Sequence, residues 1–493
     1  MCILIDPILE IDIRLISDGK ETLVDCLSRQ IRLAIQNDRL KPGFKMPSTR
    51  SLANSLGVSR NTIIASYDNL AIEGYIETLV GDGTYVTNAS ENLTENSRPF
   101  PQKLSAHIKE YWRVENQTRE LAPYPDLKYS FKVGSPDVSL FPFEKWRKYV
   151  SAGSRQLNQL AKAHWTPQGI LALREAVAQH ISLMRAVASN ANEILICNGA
   201  QQALNLIATI LVRTGKTKVA MEFPYYFMAR DVFSAAGADI VPINVDSEGI
   251  VVSDIPLDTN IIYVTPSHQF PLGIAMSAKR RLALLDLAMR KDMLIIEDDY
   301  DSDFRLSGPP IDALKTQDNN GVVFYVGTFS KNLLPELRIG YLLAPSWSLP
   351  SLTAAKFQSD WHTPTQTQMT LASFITSGEL RKHIRKMQKI YSARYFALKK
   401  ALSIHCSGFL TLLPIRTGLH ATATLIDVID AKDLASTAAN HDIAIRALTD
   451  FCAGEALPNA IVFGFGCINT DDISAAIAVL GKILLSKYKL REI

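Results

Sequence analysis

Apolar residues recur along this chain with more than one period, and each period assigns a different kind of element. Over residues 21–36, Leu23, Leu27, Ile31 and Ile35 stand four apart, one apolar stripe that predicts an amphipathic helix. The two prolines and the glycine of LKPGFKMP, residues 40–47, end it. Ser48 is placed to cap a second helix over 49–55 with Gly57 as its stop, and Ser59 to cap a third over 60–73, closed by Gly74. Two short helices joined through Gly57 and Val58 predict a helix-turn-helix with Leu52, Ala53, Leu56, Val58, Tyr67 and Leu70 in its core. The period then drops to two. Residues 75–78 and 84–87 alternate about Gly81-Asp82-Gly83, which predicts a two-stranded wing.

Periodicity fades over residues 88–126, which are rich in Asn, Ser, Glu and Pro and read as a linker. Leu104, Ile108, Tyr111 and Trp112 fall at helical spacing inside it and predict a short docked helix. As a flexible coil this stretch spans on the order of 35 Å. From 127 to 493, short continuous apolar runs alternate with helical stretches, the pattern of an α/β domain with a mostly parallel sheet.

Ligands of such sheets bind beyond the carboxyl ends of the strands, and the polar residues sit there. The run 195–197 leads through Asn198-Gly199-Ala200-Gln201 into an apolar helix over 202–212, whose start suits a phosphate. The run 219–221 ends in Glu222-Phe223-Pro224-Tyr225-Tyr226, and 261–264 ends in TPSHQFPLG. The run 293–296 ends in Glu297-Asp298-Asp299-Tyr300, and three acids in a row at a strand end need cations or a polar ligand. Finally 322–326, bounded by Gly327, delivers Thr328, Lys331 and, seven residues on, Arg338. Burial lowers the pKa of an ammonium, so a lysine held there is able to condense with an aldehyde. A lysine, a helix start for an anion, an aromatic pair, an acid cluster and an arginine together fit one ligand, pyridoxal 5′-phosphate.

Composition changes this picture little. At 493 residues the length suggests about three domains. A content of 47% hydrophobic and 20% charged residues excludes a disordered chain. The net charge of +3 neither demands nor excludes nucleic acid, but its distribution matters: residues 39–60 carry five basic side chains and no acidic one. Six cysteines lack paired ligand spacing, which argues against a metal site and disulfides and for a reduced, cytoplasmic protein. No run reaches the ~18 apolar residues of a membrane helix, and Asp6, Pro7 and Glu10 interrupt the apolar N-terminus, which does not read as a signal peptide.

Two resemblances follow. The stretch GFKMPSTRSLANSLGVSRNTIIASYDNLAIEGYIETLVGDGTYV resembles the winged helix-turn-helix of GntR-type transcription regulators. It implies a double-stranded DNA operator as partner, contacted by Ser48, Arg50, Ser59, Arg60, Asn61 and Thr62, with Gly83 letting the wing approach the minor groove. The segments GSPDVSLFPFEKW, TPSHQFPLG, EDDYDSDFR and GTFSKNLLPELRIGY resemble the MocR subfamily, a GntR-type reader fused to a fold-type I aminotransferase-like domain. This implies a reader over 14–87, a linker over 88–126 and a domain over 127–493 for cofactor binding, effector sensing and dimerisation. Lys331 would form the Schiff base, Asp298 hold the ring nitrogen protonated and Tyr300 bond the ring oxygen. Arg338, Thr328 and the amides of Ala200 and Gln201 would bind the phosphate, and Tyr226 would stack on the ring, with Tyr225 as competitor. His268 is expected to be structural.

The chain departs from the aminotransferases at Phe270 and Leu272, and Ala460 stands where they place an arginine for a substrate carboxylate. Arg446 and Arg416 are the nearest alternatives, and an effector without an α-carboxylate fits equally well. The reading that results is a regulator that senses a small amine or amino-acid-like effector by transimination at Lys331, as a head-to-tail homodimer. It is a non-enzyme with at most a residual half-reaction; the alternative is an active aminotransferase with an accessory DNA-binding domain.

Overall fold

The computed structural model describes residues 4–6, 11–13, 21–79, 81–87, 109–112, 124–160, 166–308, 312–452 and 457–488. They fold as two compact units, Met1–Asn116 and Gln117–Ile493, divided inside the stretch assigned as a linker. Of that linker the structure describes a 3-10 turn, Glu110–Trp112, at the end of the expected helix; Leu104 and Ile108 lie outside the described residues.

The first unit opens with a pair of strands that periodicity did not announce, β1 (Leu4–Asp6) against β2 (Ile11–Ile13), too short to show an alternation. Helix α1 (Leu23–Gln36) is capped by Thr22 and buries Leu27, Ile31 and Ile35, while Leu23 remains exposed at its first turn. Helix α2 (Thr49–Leu56) starts at Ser48 and stops at Gly57, whose φ of 67° is left-handed and favours glycine. Helix α3 (Arg60–Ile72) starts at Ser59, and Glu73, expected inside it, is its C-cap. The wing pairs β3 (Ile76–Leu79) with β4 (Gly83–Val86), Ile76 opposite Val86. Leu52, Ile63 and Leu70 are fully buried together in the core, and Val58 packs on its edge.

In the second unit a small pair, β5 (Tyr129–Ser130) with a strand near the C-terminus, precedes the main sheet. That sheet contains β6 (Ile194–Cys197), β7 (Lys218–Phe223), β8 (Asp239–Asp246), β9 (Gly249–Ile250), β10 (Ile261–Val264), β11 (Leu294–Asp299), β12 (Val323–Thr328) and β13 (Gly340–Leu343). Their order is β6-β13-β12-β11-β10-β7-β8-β9; β13 and β9 run antiparallel to the other six. Strands buried on both faces read as continuous apolar runs, and β6 shows why. Ile194 and Ile196 pack with the helices Leu171–Arg185 and Thr365–Thr376, whereas Leu195 and Cys197 face the helix Ala200–Leu211. A smaller antiparallel sheet, β14 (Leu410–Leu412), β15 (His420–Leu425), β17 (Arg446–Ala447) and β18 (Ala460–Gly464), packs with the helices Glu379–His405 and Thr470–Lys487 in a second core; β16 (Ile443–Ala444) is the partner of β5.

Several strands extend past the polar residues expected to follow them. Gly327 does not bound β12 but lies within it, paired with Tyr341 of β13, and only glycine fits there because a Cβ would come 2.2 Å from the Tyr341 ring. Glu222 belongs to β7, and Glu297, Asp298 and Asp299 belong to β11. The helix expected from Gln202 begins at Ala200. Among the described residues no helix is long and apolar enough to cross a membrane.

Candidate functional site

In the first unit the candidate residues form one local surface. Ser48 Oγ accepts from Ser51 N, and Ser59 Oγ from Thr62 N, both at 3.1 Å, so each serine fixes the start of its helix. Arg50, Arg60 and Asn61 are exposed, and Thr62 is half-buried beside Ser59. Arg60 donates through Nε to Thr49 Oγ1 at 3.3 Å, which holds its stem over the junction of α2 and α3. Ion pairs join Arg29 to Glu21, Arg32 to Glu73 and Lys45 to Asp82; among the described residues none joins Arg50 or Arg60 to a carboxylate. Gly83 has a φ of 137°, and a Cβ there would press on Lys45 Cε at 2.9 Å.

In the second unit eight residues expected at one ligand come together. Ala200, Gln201, Tyr226, Asp298, Tyr300, Thr328, Lys331 and Arg338 all line one cavity of about 150 Å³ beyond the carboxyl ends of β6, β7, β11 and β12. Tyr225 does not line it; its ring stands against Phe223 and under Arg230. Arg446 and Arg416 do not line it either. Arg446 lies over the Tyr124 ring at 4.5 Å, and the exposed Arg416 packs by Gly308, so the fold directs both expected effector arginines elsewhere.

The three consecutive acids of β11 show how a strand sorts charge. Glu297 accepts from the amides of Leu314 and Lys315, both at 2.8 Å. Asp299 points to the same face and pairs with the buried Arg185 at 2.7 Å and with the Tyr325 hydroxyl. Asp298, on the other face, accepts from the Tyr263 hydroxyl at 2.8 Å, and its second oxygen is buried with no partner. Burial pushes its pKa up to about 7, against the Tyr263 hydrogen bond. An orphaned carboxylate oxygen at a cavity wall needs a donor, and a protonated ring nitrogen is one.

Opposite it, Lys331 donates to the Gly134 carbonyl at 2.5 Å. Burial lowers its pKa, and Asp301 and Asp298 oppose the shift. The phosphate end is cut to fit by glycines. A Cβ on Gly199, the left-handed N-cap of Ala200–Leu211, would meet Arg338 Nη2 at 2.8 Å, and one on Gly340 would meet Ala200 N at 3.0 Å. The helix-start amides and the guanidinium therefore share one space. Thr328 Oγ1 accepts from Ser330 N at 3.1 Å beside them. Tyr226 stands edge-on to Phe270 at 5.3 Å and walls the ring space.

Gly134, Leu204, Met228, Tyr263, Thr265 and Ser330 also line the cavity and were not singled out from sequence. Tyr263 alone carried a signal: a tyrosine in the middle of a buried strand must find a partner for its hydroxyl.

A reader surface and a cavity shaped for a phosphorylated, ring-protonated aldehyde define a class of protein, a DNA-binding regulator built on an aminotransferase-like domain. The chain matches the family of bacterial regulatory proteins, gntR family, over residues 24–86 and aminotransferase class I and II over 129–449, and it belongs to the MocR-type GntR regulators that combine the two. It is 33% identical over 400 residues to the probable rhizopine catabolism regulatory protein MocR of Rhizobium meliloti, covering 80% of each chain. It is 32% identical over 456 residues to the pyridoxine biosynthesis transcriptional regulator PdxR of Corynebacterium glutamicum, covering 92% of this chain and 94% of that one. A solved kynurenine aminotransferase of Pyrococcus horikoshii, in complex with PMP, is similar at 28% identity and a TM-score of 0.68 over 74% of this chain and 92% of its own. Pyridoxal 5′-phosphate is the cofactor of such a domain, and the orphaned Asp298 oxygen, the half-buried Lys331 and the glycine-cut phosphate end fit it.

Proposed function

We propose that this protein is a cytoplasmic, homodimeric transcription regulator whose larger part senses a small amine or amino-acid-like effector through pyridoxal phosphate. Residues 14–87 read a double-stranded DNA operator, 88–126 tether them, and 127–493 hold the cofactor and dimerise head-to-tail. The observation that carries the reading is one cavity in which a half-buried lysine faces a buried, half-satisfied carboxyl.

The bound cofactor supplies a reversible carbon–nitrogen double bond to an amine. Lys331, which lines the cavity, would hold that bond, and its amine when free would take up the proton of an incoming effector ammonium. Asp298 and Asp301 face the ammonium so formed. Asp298 would keep the ring nitrogen protonated, Tyr300 would bond the ring oxygen by accepting from it, since its own hydrogen goes to the His268 carbonyl, and Tyr226 would cover the ring. Arg338, Thr328 and the amides of Ala200 and Gln201 would grip the phosphate and hold the cofactor independently of Lys331. Freed from its link, Lys331 rearranges the cavity wall and biases the placement of the two readers. In the reader, Arg50 and Arg60 contact phosphates or base edges, Ser48 and Ser59 hold the helix starts against the backbone, Asn61 and Thr62 open the recognition helix, and Gly83 lets the wing approach the minor groove.

The likeness to solved aminotransferases favours a second reading, an active aminotransferase with an accessory reader. Purified full-length protein separates the two. Its visible absorbance band should shift as an amine is added while operator binding changes in the same sample, and catalysis should stop at a half-reaction. Steady turnover of an amino acid with a keto acid would select the enzyme. A band that survives dialysis in Lys331→Ala would sink the lysine assignment.

A further inference from the structure

Behind Tyr300 lies a buried group, His268, Asp301 and His420, of which only the charge of Asp301, acting on Lys331, has a part in the reading so far. Asp301 lies opposite His268 Nδ1 at 3.0 and 3.1 Å, and a carboxylate can only accept, so Nδ1 carries the hydrogen. The Tyr300 hydroxyl donates to the His268 carbonyl at 2.7 Å and lies 3.3 Å from the same Nδ1. Asp301 also accepts from the amide of Leu419 at 3.1 Å, the residue before β15. A continuous tract of polar contacts therefore runs from the cavity wall through Tyr300, His268 and Asp301 to the root of the C-terminal sheet.

The imidazole in the middle of this tract cannot rotate. Gly418, with a φ of 96°, lies so close that a Cβ there would meet the ring at 2.0 Å, and one on Gly273 would meet Nε2 at 3.2 Å. His420 covers a further side, its ring centroid 4.3 Å away and tilted by 34°. Two imidazoles that overlap in this way present faces to each other, which favours stacking over shared ligation of an ion. Burial and the neighbouring His268 keep His420 neutral, so the stack adds no like-charge repulsion. The charged and titratable groups that act on the Tyr300 hydroxyl include Asp301, Asp298, Glu222, Tyr226 and His268, and Lys331 and Arg338 line the same cavity. Of these, only His268 and Asp301 belong to the bonded tract.

We propose that Asp301 is a positioning residue that acts through the clamped His268 to set the Tyr300 hydroxyl at the cofactor ring. The inference rests on the cofactor reading above, and it assigns a task to a histidine expected to be structural. Once Asp301 is neutralised, His268 Nδ1 keeps only a weaker acceptor, and the His268 carbonyl that takes the hydrogen of the Tyr300 hydroxyl is held less firmly.

A double-mutant cycle on the full-length chain, read as the dissociation constant of pyridoxal phosphate, tests it. Asp301→Asn keeps an acceptor oxygen but makes the hydrogen bond from His268 Nδ1 neutral instead of charge-assisted, and should weaken cofactor binding roughly fivefold. In a Tyr300→Phe background the same change should have almost no further effect. An undiminished Asp301→Asn effect in that background would overturn the proposal, because a merely structural role does not pass through the phenol. If Asp301→Asn does not fold, His268→Gln takes its place in the cycle with the same expected non-additivity. Zinc bound at one equivalent and lost on Asp301→Asn would also overturn it, by making the trio a metal site. Failure of the cofactor reading itself shows separately, as a covalent band that persists in Lys331→Ala.

Discussion

The reader face and the cofactor cavity use charge in opposite ways. Arg50 and Arg60 come from one basic window, stand exposed and have no carboxylate partner among the described residues, so their attraction is left over for something outside the chain. The cavity gathers residues from Gly134 to Arg338; its Asp298 is buried with one oxygen unpartnered, Lys331 is half-buried, and the exposed Arg338 stands at its phosphate end. The contrast teaches where each site stores its free energy. A surface guanidinium costs the fold almost nothing and can be spent on phosphate, whereas a buried carboxyl is already expensive and becomes favourable only when its partner arrives.

The largest effect that would break this contrast lies beside the cavity. Arg185→Met leaves Asp299 without its cation in the protein interior and should destabilise the second unit by about 3–5 kcal/mol, measured by urea unfolding, with the first unit's transition unmoved. A loss below about 1 kcal/mol would mean that Asp299 is better solvated than its burial indicates. On the reader face, Arg60→Ala should weaken operator binding by about 1–3 kcal/mol and lower its salt slope by about one, with unfolding changed by no more than about 0.5 kcal/mol. Operator affinity that is untouched would remove Arg60 from the interface.

A pH series sharpens the comparison further. Asp298 holds its proton in the folded state up to about pH 7, while in the unfolded chain it ionises near 3.8. Folded protein then binds more protons than unfolded protein between those values, so this carboxyl's contribution falls as pH rises through the window. Cofactor-free protein should therefore lose stability relative to Asp298→Asn from about pH 4 to about pH 7, and bound cofactor, with its ring nitrogen paired to Asp298, should flatten the difference. Thermal unfolding across pH reads both. The smallest effect belongs to the reader: Ser59→Ala removes the cap of α3 and should cost about 1 kcal/mol in that unit alone.

Much of this was legible along the chain, for reasons that differ between the units. The caps Ser48 and Ser59 and the stop at Gly57 act within a few residues of themselves, so they show in sequence, and they recur in the structure. The strand ends of the second unit were legible because both-face burial writes continuous apolar runs, and eight of the expected residues do line one cavity. Tyr225 and Tyr226 stayed open because adjacent residues differ only in which way they point, which the turn before the helix Phe227–Ala235 decides. Arg446 and Arg416 were drawn to the site by proximity to a motif, yet the packing of β17 and the loop before β15 turns them away. The strand pair at the N-terminus and the contribution of Tyr263 lay beyond periodicity altogether.

By itself the sequence determined the order of elements, the basic window of the reader and the set of polar residues that end the strands, because hydrophobic period, capping and charge are local properties. Only the tertiary structure decided how the acids of β11 divide their work. Glu297 went to backbone amides, Asp299 to Arg185 and the Tyr325 hydroxyl, and Asp298 to the Tyr263 hydroxyl on the wall of the cavity that Lys331 also lines. That division depends on which neighbouring strand and helix supply a donor, and residues distant in sequence choose their partners only when the sheet brings them within hydrogen-bond reach.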